Sequence, residues 1–167
     1  MVLSEASAAP EFDVDRAEFI YVEEFTELEA RQYFTALGMK LSDADIKYYI
    51  ANVGANPLAI FRLDVKMTEE GMSVQEFVAW ILMGVTADLV AFPHKGILKA
   101  LKEHPEGVSP AYFNNMKSNG VDLSNPRAVG VTIIDSNVLT YRIELGKYVM
   151  LSRGHEVALR SYNPIVR

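Results

Sequence analysis

Apolar residues recur at helical spacing through the first two thirds of the chain and change to alternation after Asn125-Pro126. Two short β-prone runs come first, Val2-Leu3-Ser4 and Phe19-Ile20-Tyr21-Val22. Thr26 and Glu29 then form a capping box, Phe25 and Ala30 a staple, and Ala30, Tyr33, Phe34 and Leu37 share one helical face up to Gly38. A second helix is predicted from Ser42, with Asp43 and Asp45 in its first turn and Ile46, Tyr49, Ile50 and Val53 as its buried stripe. Gly54 is placed for a left-handed C-cap, Asn56 for an N-cap, and Pro57 for the first turn of a third helix over 58–65. After a turn at 68–71, Ser73 and Glu76 make another capping box. They open a long helix through Phe77, Trp80, Ile81, Val85 and Leu89 to Phe92, apolar almost all round and therefore expected at the centre.

Pro93 separates that helix from one over 94–102, in which Ile97, Leu98 and Leu101 face the core. Ser109-Pro110 caps a short helix carrying Tyr112, Phe113 and Met116 and stopping near Gly120. Strands are predicted at 129–134, 139–145, 148–151 and 157–162, with turns at Asp135-Ser136-Asn137, Gly146-Lys147 and Arg153-Gly154. The expected fold class is α+β: a mainly helical first part, 26–92, then a helix-plus-β-hairpin second part, 93–163, preceded by strands and a flexible stretch over 1–25.

With 167 residues, half of them hydrophobic, the chain can bury a core. The absence of cysteine excludes disulfides, zinc-thiolate and iron-sulfur sites and a cysteine nucleophile, and favours an intracellular setting, cytoplasmic or nuclear. The N-terminus has no signal-peptide pattern, and the uncharged run 77–87 is shorter than the about 20 residues that span a bilayer, so no membrane partner is expected. Charge divides the chain at Pro93. Residues 1–93 carry 6 Lys and Arg against 16 Asp and Glu, and residues 94–167 carry 10 against 6, so −10 is followed by +4. Only the second part suits a phosphate backbone.

No G-x-x-x-x-G-K-[ST] loop, H-E-x-x-H or G-x-S-x-G occurs. His94, His104 and His155 lack metal-site spacing and read as surface or capping residues, leaving no metal site. Asp135, Glu144 and Lys147 make a loose nuclease-like set, but Glu144 and Lys147 straddle a turn, so cross-strand surface charges are the simpler reading. Tyr33, Phe34, Tyr48, Tyr49, Phe61, Phe77 and Trp80 are spaced for core packing rather than for a ligand cage.

The segment Ile50-Ala-Asn-Val-Gly54-Ala-Asn56-Pro57-Leu58 is explained structurally as a tight corner between two helices. It also resembles the Gly-x-Pro corner in the lid of STAND-type and related AAA-like P-loop ATPases, as in Crinkler and retrotransposon-hot-spot type families. Met1-Val-Leu-Ser4 looks like that family's sensor strand, Phe19-Ile-Tyr-Val22 like the last strand of its nucleotide-binding sheet, and Phe25-Thr26-Glu-Leu-Glu29-Ala30 like the opening of its lid. The resemblance implies that 26–92 is lid-like and 93–163 winged-helix-like, with Ser4, Gly54, Asn56 and Pro57 as nucleotide contacts. The nucleotide-binding motifs that would precede the sensor strand are absent. ATP or ADP is therefore expected as a ligand only if another chain supplies the P-loop core.

Two functions follow as expectations. One is a non-catalytic regulatory or protein-interaction module, without enzymatic activity or a cofactor of its own, acting on a protein partner. The other is a winged-helix nucleic-acid binder using 94–162, with a recognition helix over 109–117 presenting Asn114, Asn115 and Lys117.

Overall fold

The computed structural model describes residues 24–126, 128–129, 138–142 and 145–163. The strands expected at 2–4 and 19–22, most of that at 129–134 and the turn at 135–137 lie outside them. The fold is α+β, helical in its first part, with helix and hairpins in its second. In chain order come α1 (Glu27–Ala36), α2 (Asp43–Val53), α3 (Pro57–Glu70), α4 (Val74–Ala91) and α5 (Lys95–Glu103). A 3-10 turn (Pro110–Phe113) precedes β1 (Lys117–Ser118), β2 (Val121–Asp122), β3 (Leu139–Arg142), β4 (Lys147–Met150) and α6 (Arg153–Ser161).

The starts of α1 to α4 fall where local capping places them. The Thr26 hydroxyl accepts from the Glu29 amide at 3.3 Å, and the Glu29 carboxylate accepts from the Thr26 amide at 2.8 Å. Ser73 and Glu76 repeat the exchange at 3.2 and 2.8 Å, and the Ser42 hydroxyl accepts from the Asp45 amide. Phe25 packs edge-on against Tyr33, 5.5 Å between centroids. The third helix runs to Glu70, past the turn expected at 68–71, because nothing before Gly71 breaks it: Lys66 pairs with Glu70 across one turn, and Gly71 supplies the left-handed cap.

Two apolar clusters form. Ala30, Phe34, Tyr49, Val53, Ile60, Leu63, Phe77 and Val78 build the first. Ile97, Leu98, Leu101, Phe113, Leu139, Tyr148 and Leu159 build the second, with Leu89 and Phe92. Helix α4 is a beam common to both, giving Phe77 and Val78 to one and Leu89 to the other. It is not enclosed, however. Trp80 is 43% exposed, Met83 68% and Val90 59%, so the expected all-round burial is corrected to a helix with one bare side. Phe34, Tyr49 and Phe77 do pack together in the core, whereas Tyr48 and Phe61 are exposed.

Residues 157–161, expected with Tyr162 as a strand, belong to α6, and Tyr162 is its C-cap. The buried set Gly154, His155, Ala158 and Leu159 has helical spacing, and α6 packs against α2, α4, α5 and β4. Arg153, expected in a turn, opens that helix and donates from Nε to the Ala51 carbonyl of α2 at 3.2 Å. Strands β3 and β4 pair antiparallel, Leu139 opposite Met150 and Arg142 opposite Lys147. Tyr148 anchors the hairpin: its main chain exchanges two 2.9 Å bonds with Val108, and its hydroxyl donates to the Leu123 carbonyl at 3.0 Å.

Candidate functional site

Helix α2 ends on Gly54, with φ 96° and ψ −171°, a conformation essentially restricted to glycine and different from the left-handed cap expected there. The Gly54 amide donates to the Ile50 carbonyl at 3.1 Å. Asn56 then caps α3, its Oδ1 accepting from the Leu58 and Ala59 amides at 2.9 and 3.2 Å, and Pro57 occupies the first helical position. The three corner residues singled out in the sequence are thus brought together. Ser4 lies outside the described residues.

A fourth participant, Glu24, had no signal in the sequence beyond its place before Phe25. Its Oε2 accepts from the Ala55 amide at 2.9 Å, and the Phe25 amide donates to the Ala55 carbonyl at 3.2 Å. A Cβ on Gly54 would stand 2.5 Å from Glu24 Oε2. Glycine is required here by its backbone conformation, and a side chain would in addition push the Glu24 carboxylate off the Ala55 amide. Burial, with the Glu24 charge as a smaller cause, holds the Tyr49 hydroxyl well above its ordinary range.

The first donors of α3 are therefore occupied from within. Pro57 has no amide hydrogen, Leu58 and Ala59 are taken by Asn56 Oδ1, and the Ile60 amide donates to the Asn56 carbonyl at 3.0 Å. The corner offers a carboxylate, an amide and apolar groups: Pro57 is half-buried, and Leu58 and Phe61 are exposed.

The second candidate set falls differently. No helix spans 109–117. Ser109 caps only the 3-10 turn, accepting from the Ala111 amide, and Asn115 and Asn119 take φ values of 65° and 51° on the way to and around the β1–β2 hairpin. A left-handed residue stops a right-handed helix, and asparagine tolerates that conformation. Asn114, Asn115 and Lys117 are exposed but lie on a turn and a two-residue strand, with Lys117 registered opposite Asp122. They present no helical face to a groove.

The histidines also correct the expectation. His104 is exposed, 3.7 Å from Glu106, but His94 and His155 are buried. His155 Nδ1 lies 2.8 Å from the Ser152 hydroxyl. His94 sits at the N-cap position of α5 without capping it, edge-on to Phe92, and burial lowers its pKa. Among the described residues no three His, Asp or Glu side chains gather as metal ligands. Asp135 and Glu144 lie outside those residues; Lys147 is in β4. Comparison with protein-family models, with curated proteins and with solved structures gives no match to this chain.

Proposed function

We propose that the chain is a non-catalytic regulatory or protein-interaction module, built like the lid and winged-helix part of a STAND or AAA-like ATPase. The observation that carries this reading is the state of the Gly54–Pro57 corner. Its backbone donors are bonded to Asn56 and Glu24, while Leu58 and Phe61 stand exposed, 59% and 46%, on the first turns of α3. A helix N-terminus with its amides already taken has little to offer a phosphate. Exposed apolar side chains beside a rigid corner suit contact with another protein surface.

On this reading ATP or ADP is held only at a joint site. The other chain would supply the phosphate loop and the magnesium ligands, and Gly54, Asn56 and Pro57 would shape the side facing the base. The test is calorimetric titration of the isolated chain with ATP and with ADP in the presence of magnesium. No saturable heat is expected. Saturable micromolar binding, or nucleotide turnover abolished by a point substitution in this chain, overturns the proposal.

A further inference from the structure

Among the described residues nothing covers one side of α4. Trp80, Met83, Ala87 and Val90 follow one another at steps of three, four and three, the repeat by which helices pair. All four are exposed, and so are Ala79, Gly84 and Ala91 beside them. No charge occurs over 77–87, and Asp88 is half-buried off the stripe. A glycine inside a helix weakens it, yet a Cβ on Gly84 would meet no other group of the described residues within 4 Å. Nothing among the described residues requires glycine there; close approach of a second backbone would.

The two ends of the stripe differ in charge. Glu76 lies one turn before Trp80, whereas Lys66, its Nζ 5.3 Å from the Trp80 ring centroid, is neutralised by its pair with Glu70, so the excess charge at this end is that of Glu76. At the other end Lys95 is fixed on the C-terminus of α4, its Nζ donating to the Leu89 and Val90 carbonyls at 2.8 and 2.6 Å. Bulk is also graded, with Trp80 and Met83 toward the acidic end and Ala87, Val90 and Ala91 toward the basic one.

We propose that this stripe is the seam of a weak antiparallel homodimer, α4 packing on α4 of a second copy about a two-fold axis near residue 85. Antiparallel pairing sets Trp80 opposite Val90 of the second copy and Met83 opposite Ala87, large against small, with Gly84 near the axis. It also brings Glu76 to the Lys95 end, so the charges match where a parallel pair would oppose like with like. The stripe is about 20 Å long and about 10 Å wide, well short of the roughly 800 Å² per partner of a stable complex, so association is weak. This inference does not depend on the nucleotide-lid reading.

The chain's lack of cysteine makes the test direct. At a rise of 1.5 Å per residue, a cysteine at 87 would lie about 6 Å along the axis from its symmetry mate, and one at 90 about 15 Å. Sedimentation velocity over a concentration series should show a monomer–dimer equilibrium. Met83→Glu, with its circular dichroism unchanged, should weaken it at least tenfold. Ala87→Cys should be cross-linked by a short bismaleimide far more readily than Val90→Cys. A monomer at every concentration, an unchanged dimer in Met83→Glu, or equal cross-linking at 87 and 90 overturns the proposal. By length and composition α4 is also apolar enough to cross a membrane. Co-sedimentation of a monomeric chain with phosphatidylcholine vesicles would therefore assign the stripe to lipid and equally overturn it.

Discussion

Replacing Gly54 by alanine tests the corner most sharply, because two separable costs meet at one atom. The first is conformational: at φ 96° and ψ −171° a side chain is strained by about 1–3 kcal/mol. The second is steric, since the new Cβ would lie 2.5 Å from Glu24 Oε2 and must displace that carboxylate from the Ala55 amide. Losing this partly exposed bond costs about 1 kcal/mol. Gly54→Ala should therefore destabilise the protein by about 2–4 kcal/mol and Glu24→Ala by about 1, whereas the double variant, in which the bond to the Ala55 amide is lost only once, should lose no more than Gly54→Ala alone. The coupling of about 1 kcal/mol is read from urea unfolding followed by far-UV circular dichroism in a double-mutant cycle. If the two substitutions add within about 0.3 kcal/mol, Glu24 does not rest on Gly54, and the account of the corner given above is wrong.

Three further predictions rest on other elements. Ser73→Ala should lower stability by about 1 kcal/mol and shift the thermal midpoint accordingly, since it removes the acceptor for the Glu76 amide. Hydrogen bonds from Ser73, the backbone amide first, hold the Glu76 pKa below 4.5, so the stabilisation is present above that value and lost as pH falls through the folded pKa; Ser73→Ala should shallow this acid loss. His94 gives a second, milder window: burial lowers its folded pKa below 6.5, so the unfolded chain takes up the proton first and stability declines as pH falls through about 6.5. Chemical denaturation at several pH values should show that decline in the parent and not in His94→Asn. Tyr148→Phe removes the buried bond to the Leu123 carbonyl and should cost about 1–2 kcal/mol in urea unfolding; an unchanged midpoint would mean that the hydroxyl contributes no net stability.

The starts of α1 to α4 were legible because each is settled within four residues. Thr26 with Glu29, Ser73 with Glu76, Ser42 with Asp45 and Asn56 before Pro57 bond to their own first turns, so nothing distant is needed to read them. The candidate corner was legible for the same reason, down to its three residues. Glu24 was not, because its partner lies 31 positions away and only folding brings the carboxylate to Ala55. Residues 157–162 read as a strand on local alternation, and the surfaces of α2, α4, α5 and β4 make 157–161 a helix. Around 109–120 the error ran the other way, two left-handed asparagines stopping a helix that the apolar spacing had suggested.

Helix α4 separates the two kinds of information most cleanly. Its ends and its apolar character follow from the sequence by itself, since capping and composition act within the segment. Which side of it is covered was decided only in three dimensions, because burial depends on where α2, α3 and α6 come to lie, and they leave Trp80, Met83 and Val90 bare.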